Sequence, residues 1–177
     1  MVYFIRHGES EANLKGLFAG QRDDSKLTEK GKDQAKITAQ SIKNGGINFN
    51  KIICSPLVRC LETAEIIIKE VGFDESIIEI DNRITEYDMG DLTGTPIHAI
   101  SSAILSSAKN AEDTELFLKR VVECVKDLLK LDGNILIVSH AGVGRILETV
   151  KEGIDSKLFY DLPAWHNASL TKIDWIK

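Results

Sequence analysis

No apolar run in this chain is long enough to cross a bilayer, so a transmembrane helix and a membrane partner are not expected. After Met1 only four apolar residues precede Arg6, too few for a secretory leader, and none is expected. Positive charge is not in excess. The formal net charge of −5 provides no general basic field to recruit nucleic acid, so an anionic ligand would need a local basic cluster. Cysteine is scarce as well. Cys54, Cys60 and Cys124 show no metal-ligand spacing and sit in apolar or helical patterns, which reads as buried free thiols in a reducing, cytoplasmic setting. Internal repeats and low-complexity tails are also missing.

What is present is ordinary for a globular protein: 177 residues, 43% hydrophobic and 28% charged, enough for one well-buried domain spanning 1–177. Short β-branched runs at residues 2–5, 51–54, 77–80 and 134–138 read as buried strands. A weaker alternation over residues 169–175 reads as an edge strand. Between them lie helical stripes. Thr28 is a plausible N-cap for a helix burying Ala35, Ala39 and Ile42. Ser55-Pro56 resembles a cap-and-first-turn signal for one burying Leu57, Leu61, Ala64 and Ile68. Residues 112–131 place Leu118, Val121, Val122, Val125, Leu128 and Leu129 on one face, and Val143, Ile146, Leu147 and Val150 form another. Alternating strands and helices predict a three-layer α/β/α sandwich with a mostly parallel central sheet. Residues 95–111, small and weakly amphipathic after Thr95-Pro96, read as a short cap segment beside it.

In open α/β sheets ligands bind outside the carboxyl ends of the strands. Three predicted strands end in residues capable of chemistry: Arg6-His7, Ser55-Pro56-Leu57-Val58-Arg59, and Ser139-His140-Ala141-Gly142. Taken singly, a strand-end arginine is usually a surface charge and a lone histidine a structural hydrogen-bonding residue. Together they bring two guanidinium groups, two imidazoles and a helix N-terminus to one rim, a combination suited to a phosphate dianion.

The residues 4–13, Phe-Ile-Arg-His-Gly-Glu-Ser-Glu-Ala-Asn, resemble the signature of the histidine phosphatase superfamily in its phosphoglycerate-mutase-like branch. Residues 55–64, residues 139–143, Leu27-Thr28-Glu29-Lys30-Gly31 with Gln34-Ala35, and Asn167-Ala168-Ser169 resemble its other motifs, in the same order. The resemblance implies that His7 is the nucleophile forming a phosphohistidine. It implies that Arg6, Arg59 and His140 hold the phosphoryl oxygens, His140 in its protonated form. It adds Asn13, the loop residues Ala19, Gly20 and Gln21, and the backbone of Ala141 as phosphate or substrate contacts. Glu86 aligns with the family's general acid, with Asp88 the nearest alternative. The family commonly has a glutamate before the glycine that closes this loop, where this chain has Thr93 before Gly94.

The expected function is hydrolysis of a small phosphorylated metabolite, without metal or cofactor. Hydrolysis is preferred to mutase transfer because residues 95–111 form a short insertion and the chain ends at Lys177, without the tail that covers mutase sites. A phosphoprotein phosphatase and a catalytically silent phospholigand binder are the other readings. The resemblance is compatible with a monomer or a homodimer. Residues 17–22, residues 87–89 and His98 are candidate substrate contacts, with Arg22 either meeting a second anionic group or lying in solvent. His98 and His166 read more readily as surface or packing residues.

Overall fold

Each face of the buried strands finds its own layer of helices in the computed structural model, which describes residues 1–176. Five strands, β1 (Val2–Arg6), β2 (Lys51–Cys54), β3 (Ile78–Ile80), β4 (Ile135–Ser139) and β5 (Leu170–Ile173), form one sheet in the order β3-β2-β4-β1-β5. The first four strands run parallel, and β5 pairs antiparallel to β1 at the edge. The helices are α1 (Glu11–Leu14), α2 (Glu29–Asn44), α3 (Val58–Val71), α4 (Ser102–Ser106), α5 (Thr114–Leu129) and α6 (Ala141–Glu152).

The central strand β4 shows why the layers form. Ile135 and Ile137 point into a core shared with α5 and α6, whereas Leu136 and Val138 point into a core shared with α2 and α3. Successive side chains of a strand leave on opposite faces, so an uninterrupted apolar run requires cover on both sides. Each such fully buried side chain contributes roughly 1.5–3 kcal/mol of transfer free energy. Both cores contain cysteine: Cys54 and Cys60 lie in one and Cys124 in the other, all buried and free. No helix among the described residues is long and apolar enough to cross a membrane.

Several sequence expectations need correction. Strand β3 is not buried: Glu79 and Ile80 are exposed, because β3 pairs only with β2 and forms the other edge of the sheet. Ser55 does not cap a helix, since α3 starts at Val58 and its first N–H donates instead to Asp24 Oδ1 at 2.7 Å. The buried stripe of α5 is Phe117, Val121, Cys124, Val125 and Leu128, rotated from the one expected, and Val150 on α6 is exposed. Periodicity weighted the exposed-side aliphatics equally with Phe117, which packs against Tyr87 and Phe159 and turns the helix. Beyond Pro96 the chain makes a 3₁₀ turn at Ile97–Ala99 and then α4, whose Leu105 reaches the core.

Candidate active site

The register of the sheet brings the strand-end residues together. Arg6 pairs with Ser139 and Cys54 with Val138, so β1, β4 and β2 end side by side. His7 N–H then donates to the Ser139 carbonyl at 2.9 Å, and the His7 and His140 rings lie edge to face with centroids 5.3 Å apart. Arg59, the second residue of α3, is 1% exposed, and its guanidinium donates to the carbonyls of Gly20 and Asp23 at 2.8 and 2.9 Å. Arg6 donates to the Trp165 carbonyl at 2.8 Å. The Nε atoms of Arg6 and Arg59 are both buried without a protein partner. Burying a guanidinium donor without a partner is costly.

The loop after β1 is clamped by the start of α2. A Cβ on Gly8 would sit 2.3 Å from the Gly31 carbonyl oxygen, and one on Gly31 would sit 2.1 Å from that of Glu9, so both positions need glycine for close backbone approach. Gly8 N–H donates to Thr63 Oγ1, Glu9 N–H to Gln34 Oε1 and Thr28 N–H to the Glu9 carbonyl. The Leu27-Thr28-Glu29-Lys30-Gly31 motif is thus scaffolding for His7. His7 Nδ1 lies 2.7 Å from the Gly8 carbonyl, which fixes the proton on Nδ1 and leaves Nε2 with its lone pair. Asn167 Nδ2 donates to the His7 carbonyl at 2.9 Å. Asn13 Oδ1 accepts from Ser10 N–H, which leaves the Asn13 amide N–H groups to serve as donors.

Burial pushes both imidazoles well below the usual histidine value, with the charges of Arg59 and Arg6 adding to the effect. Burial thus favours the neutral form of both rings. His140 is held by Ser55, whose Oγ lies 2.6 Å from Nε2. Arg6 is pushed down to about 10 by burial, with Arg145 and Arg59 also lowering it against Glu86, which raises it.

Glu86 is 8% exposed, and its carboxylate accepts from the N–H groups of Tyr87 at 2.9 Å and Gly142 at 3.1 Å. A Cβ on Gly142 would stand 2.1 Å from Glu86 Oε1, so the glycine of the third motif makes room for this carboxylate. The loop is braced from behind by Arg120, which donates to the carbonyls of Arg83, Thr85 and Glu86 at 2.7, 2.8 and 3.1 Å. Its other donors pair with Glu112 at 2.6 and 2.9 Å.

These groups meet at a cavity of about 250 Å³. Arg6, His7, Asn13, Arg59, Glu86 and Ala141 line its strand-end side, and Ala19 and Gly20 lie beside them. His140 is wholly buried against the His7 ring behind this lining. Gln21 and His98 are not among the lining residues, and neither is Asp88. Asp88 instead forms a two-pronged ion pair with Arg22 at 2.8 and 3.1 Å, so neither is the spare acid or the free cation they resembled in the sequence. Thr93 closes a turn on the Gly90 carbonyl. Sequence reasoning missed Arg145, Tyr160 and Ser55. Arg145 lies on α6, whose apolar stripe was read only for packing, and Tyr160 lies in the 3₁₀ segment Ser156–Asp161, to which no element was assigned. Ser55 looked like a cap.

A buried cationic pocket at the carboxyl end of a parallel sheet, with an imidazole inside it, is an arrangement suited to a phosphate dianion. The chain belongs to the histidine phosphatase superfamily (branch 1), whose family model matches residues 2–177. It is 32% identical over 98% of its length to a 2,3-bisphosphoglycerate-dependent phosphoglycerate mutase from Thermoplasma acidophilum, covering 86% of that protein. It also resembles a phosphoserine phosphatase from Entamoeba histolytica at 25% identity and a TM-score of 0.78, covering 96% of this chain and 87% of that one. Bacillus stearothermophilus YhfR has the same fold, with a TM-score of 0.80 at 24% identity over 99% of this chain and 92% of that one. Proteins similar to this chain thus include both phosphatases and phosphoglycerate mutases.

Proposed function

We propose that the chain is a phosphomonoesterase that hydrolyses a small phosphate ester through a phosphohistidine on His7. The observation that carries this reading is the convergence of the Arg6 and Arg59 guanidinium groups on a cavity lined by His7, whose Nδ1 lies against the Gly8 carbonyl and leaves Nε2 as the free ring nitrogen. In this reading Arg6, Arg59 and Asn13 bind the phosphoryl oxygens, and Ala141 lies at the positive end of the α6 dipole. His140 takes up a proton when the dianion arrives, because the new negative charge offsets the burial that keeps the ring neutral.

His7 Nε2 attacks phosphorus as the bond from phosphorus to the leaving oxygen breaks, and Glu86 in its acid form protonates that oxygen. The Glu86 carboxylate then takes a proton from water, the hydroxide attacks phosphorus, and the bond from phosphorus to nitrogen breaks to restore His7. Labelled-phosphate trapping tests the step. The native chain should yield a base-stable, acid-labile adduct that His7→Ala lacks, with turnover falling on the order of 10⁴-fold or more. An adduct of unchanged yield in His7→Ala would exclude His7 as the nucleophile.

A second reading, phosphoryl transfer between positions of a phosphoglycerate, is favoured by the identity to the Thermoplasma acidophilum mutase. Against it stands the small size of the cap, one 3₁₀ turn and the five residues of α4, since a mutase must shield its phosphohistidine from water. Phosphate release from 3-phosphoglycerate that outpaces its isomerisation supports hydrolysis, and the reverse ratio supports the mutase.

A further inference from the structure

Two loops at the cavity hold opposite halves of the chemistry, and one pair of side chains joins them. Residues 19–24 hold Arg59, whose guanidinium donates to the carbonyls of Gly20 and Asp23. Residues 86–90 begin with Glu86, which lines the cavity. The loops touch at Gly20, where a Cβ would lie 3.0 Å from Met89 Cγ and 3.3 Å from the Tyr87 carbonyl oxygen. Among the described residues no backbone hydrogen bond joins one loop to the other. The polar link is Arg22 to Asp88: Nε donates to Oδ1 at 2.8 Å and Nη2 to Oδ2 at 3.1 Å.

Arg22 lies between the two carbonyls that receive Arg59, and Asp88 lies two residues after Glu86. Asp88 Oδ1 also accepts from Gly90 N–H at 2.9 Å, which fixes the carboxylate on its own loop. Arg22 Nη2 also donates to the carbonyl of Asn110 at 2.8 Å, so the end of the cap segment is drawn in as well. Yet the two side chains are 45% and 27% exposed. Exposed ion pairs contribute little to global stability. A two-pronged arginine–carboxylate pair does, however, fix the distance and orientation of the segments it joins. Reaction rates fall steeply when a reacting group is misplaced by about 1 Å. The pair is thus placed to set geometry at the site, and the fold depends on it little.

We propose that Arg22 and Asp88 are positioning residues whose ion pair clasps the Arg59 loop to the Glu86 loop and keeps cation and acid in register across the cavity. The role in turnover rests on the phosphomonoester reading, while the binding prediction stands apart from it. Neither residue lines the cavity, so neither acts by touching the ligand. The clasp acts through the separation of the Arg59 guanidinium, which binds the phosphoryl oxygens, from the Glu86 carboxyl group, which serves the leaving oxygen.

The test is a double-mutant cycle of Arg22→Gln, Asp88→Asn and both together, measured on glycerol 3-phosphate. Asp88→Asn keeps an Oδ1 for the Gly90 N–H, so it removes the ion pair and little else. Each single variant should lower kcat about 5- to 30-fold, with KM within about twofold of native and Tm within about 3 °C. The double variant should lose no more than the worse single one, because either change opens the clasp. Losses that multiply in the double variant would overturn the proposal, as would an unchanged kcat in both singles. So would a raised KM at constant kcat, the result expected if Arg22 meets the substrate directly. If Arg22→Gln does not fold, Arg22→Lys, which keeps the charge and loses the two-pronged contact, takes its place in the cycle. Calorimetric Kd values for orthovanadate and inorganic phosphate repeat the comparison without turnover. Vanadate adopts the five-coordinate geometry of the transferring phosphorus, so the variants should weaken it about 5- to 30-fold and phosphate less than about twofold. Equal weakening of the two anions would overturn the clasp. A protein that shows the selective loss of vanadate but hydrolyses no ester would sink only the phosphatase reading.

Discussion

The two walls of the cavity are built in different ways. The strand-end wall places His7 directly after β1 and Arg59 in the first turn of α3, both nearly free of solvent, with the loop after β1 tied down by hydrogen bonds to Ser139, Thr63 and Gln34. The facing wall draws Ile97 and Tyr160 from the 3₁₀ segments Ile97–Ala99 and Ser156–Asp161, and Arg145 reaches it only as a half-buried side chain. Groups that make and break bonds must be held to fractions of an ångström, which a parallel sheet does well. Groups that recognise the rest of a ligand can stand on looser segments, where change costs the fold little.

The comparison is tested most severely at Glu86, which belongs to the first wall although it sits on a loop. Glu86→Gln should slow hydrolysis of an alkyl phosphate on the order of 10²- to 10⁴-fold, with a far smaller loss on a p-nitrophenyl ester, whose leaving group needs no proton. Equal losses on both esters would remove Glu86 from proton transfer. A smaller effect is expected at Arg120, which touches no ligand and acts through the loop carbonyls it holds. Arg120→Met should lower kcat about 10- to 100-fold while KM stays nearly constant, and should blunt the dependence on the leaving group, because the misplaced acid no longer reaches it. A KM change without a kcat change would place Arg120 with the recognition wall instead.

The smallest effect is on stability. His7 and His140 remain neutral in the fold well below 6.5, the ordinary histidine value, whereas in the unfolded chain they take up protons near it. The unfolded state therefore binds more protons below about pH 6.5, and stability should fall as pH drops through that value. The slope is at most about 1.4 kcal/mol per pH unit for each ring, and this contribution is flat above it. Denaturant midpoints measured between pH 5 and 8 for the native chain and His140→Gln check this, and an identical acid slope in both would refute the contribution of His140.

The first wall was largely legible in the sequence and the second was not. Arg6, His7, Arg59 and His140 follow short β-branched runs, so the rule that ligands gather at the carboxyl ends of parallel strands was enough to bring them together. The resemblance of the motifs to a known family added Glu86, Asn13 and the loop through Gly20. Nothing local marked Arg145, because its place depends on how Leu162 and Tyr160 fold back onto α6. Arg22 and Asp88 misled for the converse reason: each is chemically competent, and a pairing across 66 positions takes both out of the cavity. Ser55 was similarly misread, since a serine before a proline looks like a cap until His140 stands 2.6 Å from its hydroxyl.

By itself, the sequence determined the layered architecture and the chemistry of the strand ends, because apolar periodicity and motif spacing are local properties that survive in one dimension. The tertiary structure alone decided which charges are left unpaired. It neutralised Arg22 with Asp88, spent the Gly142 N–H on Glu86, braced that loop with Arg120, and left the Arg145 guanidinium beside the cavity. Whether a charge is free depends on every group that folds to within a few ångströms of it, and that distance is written in the packing of the chain, not in its order.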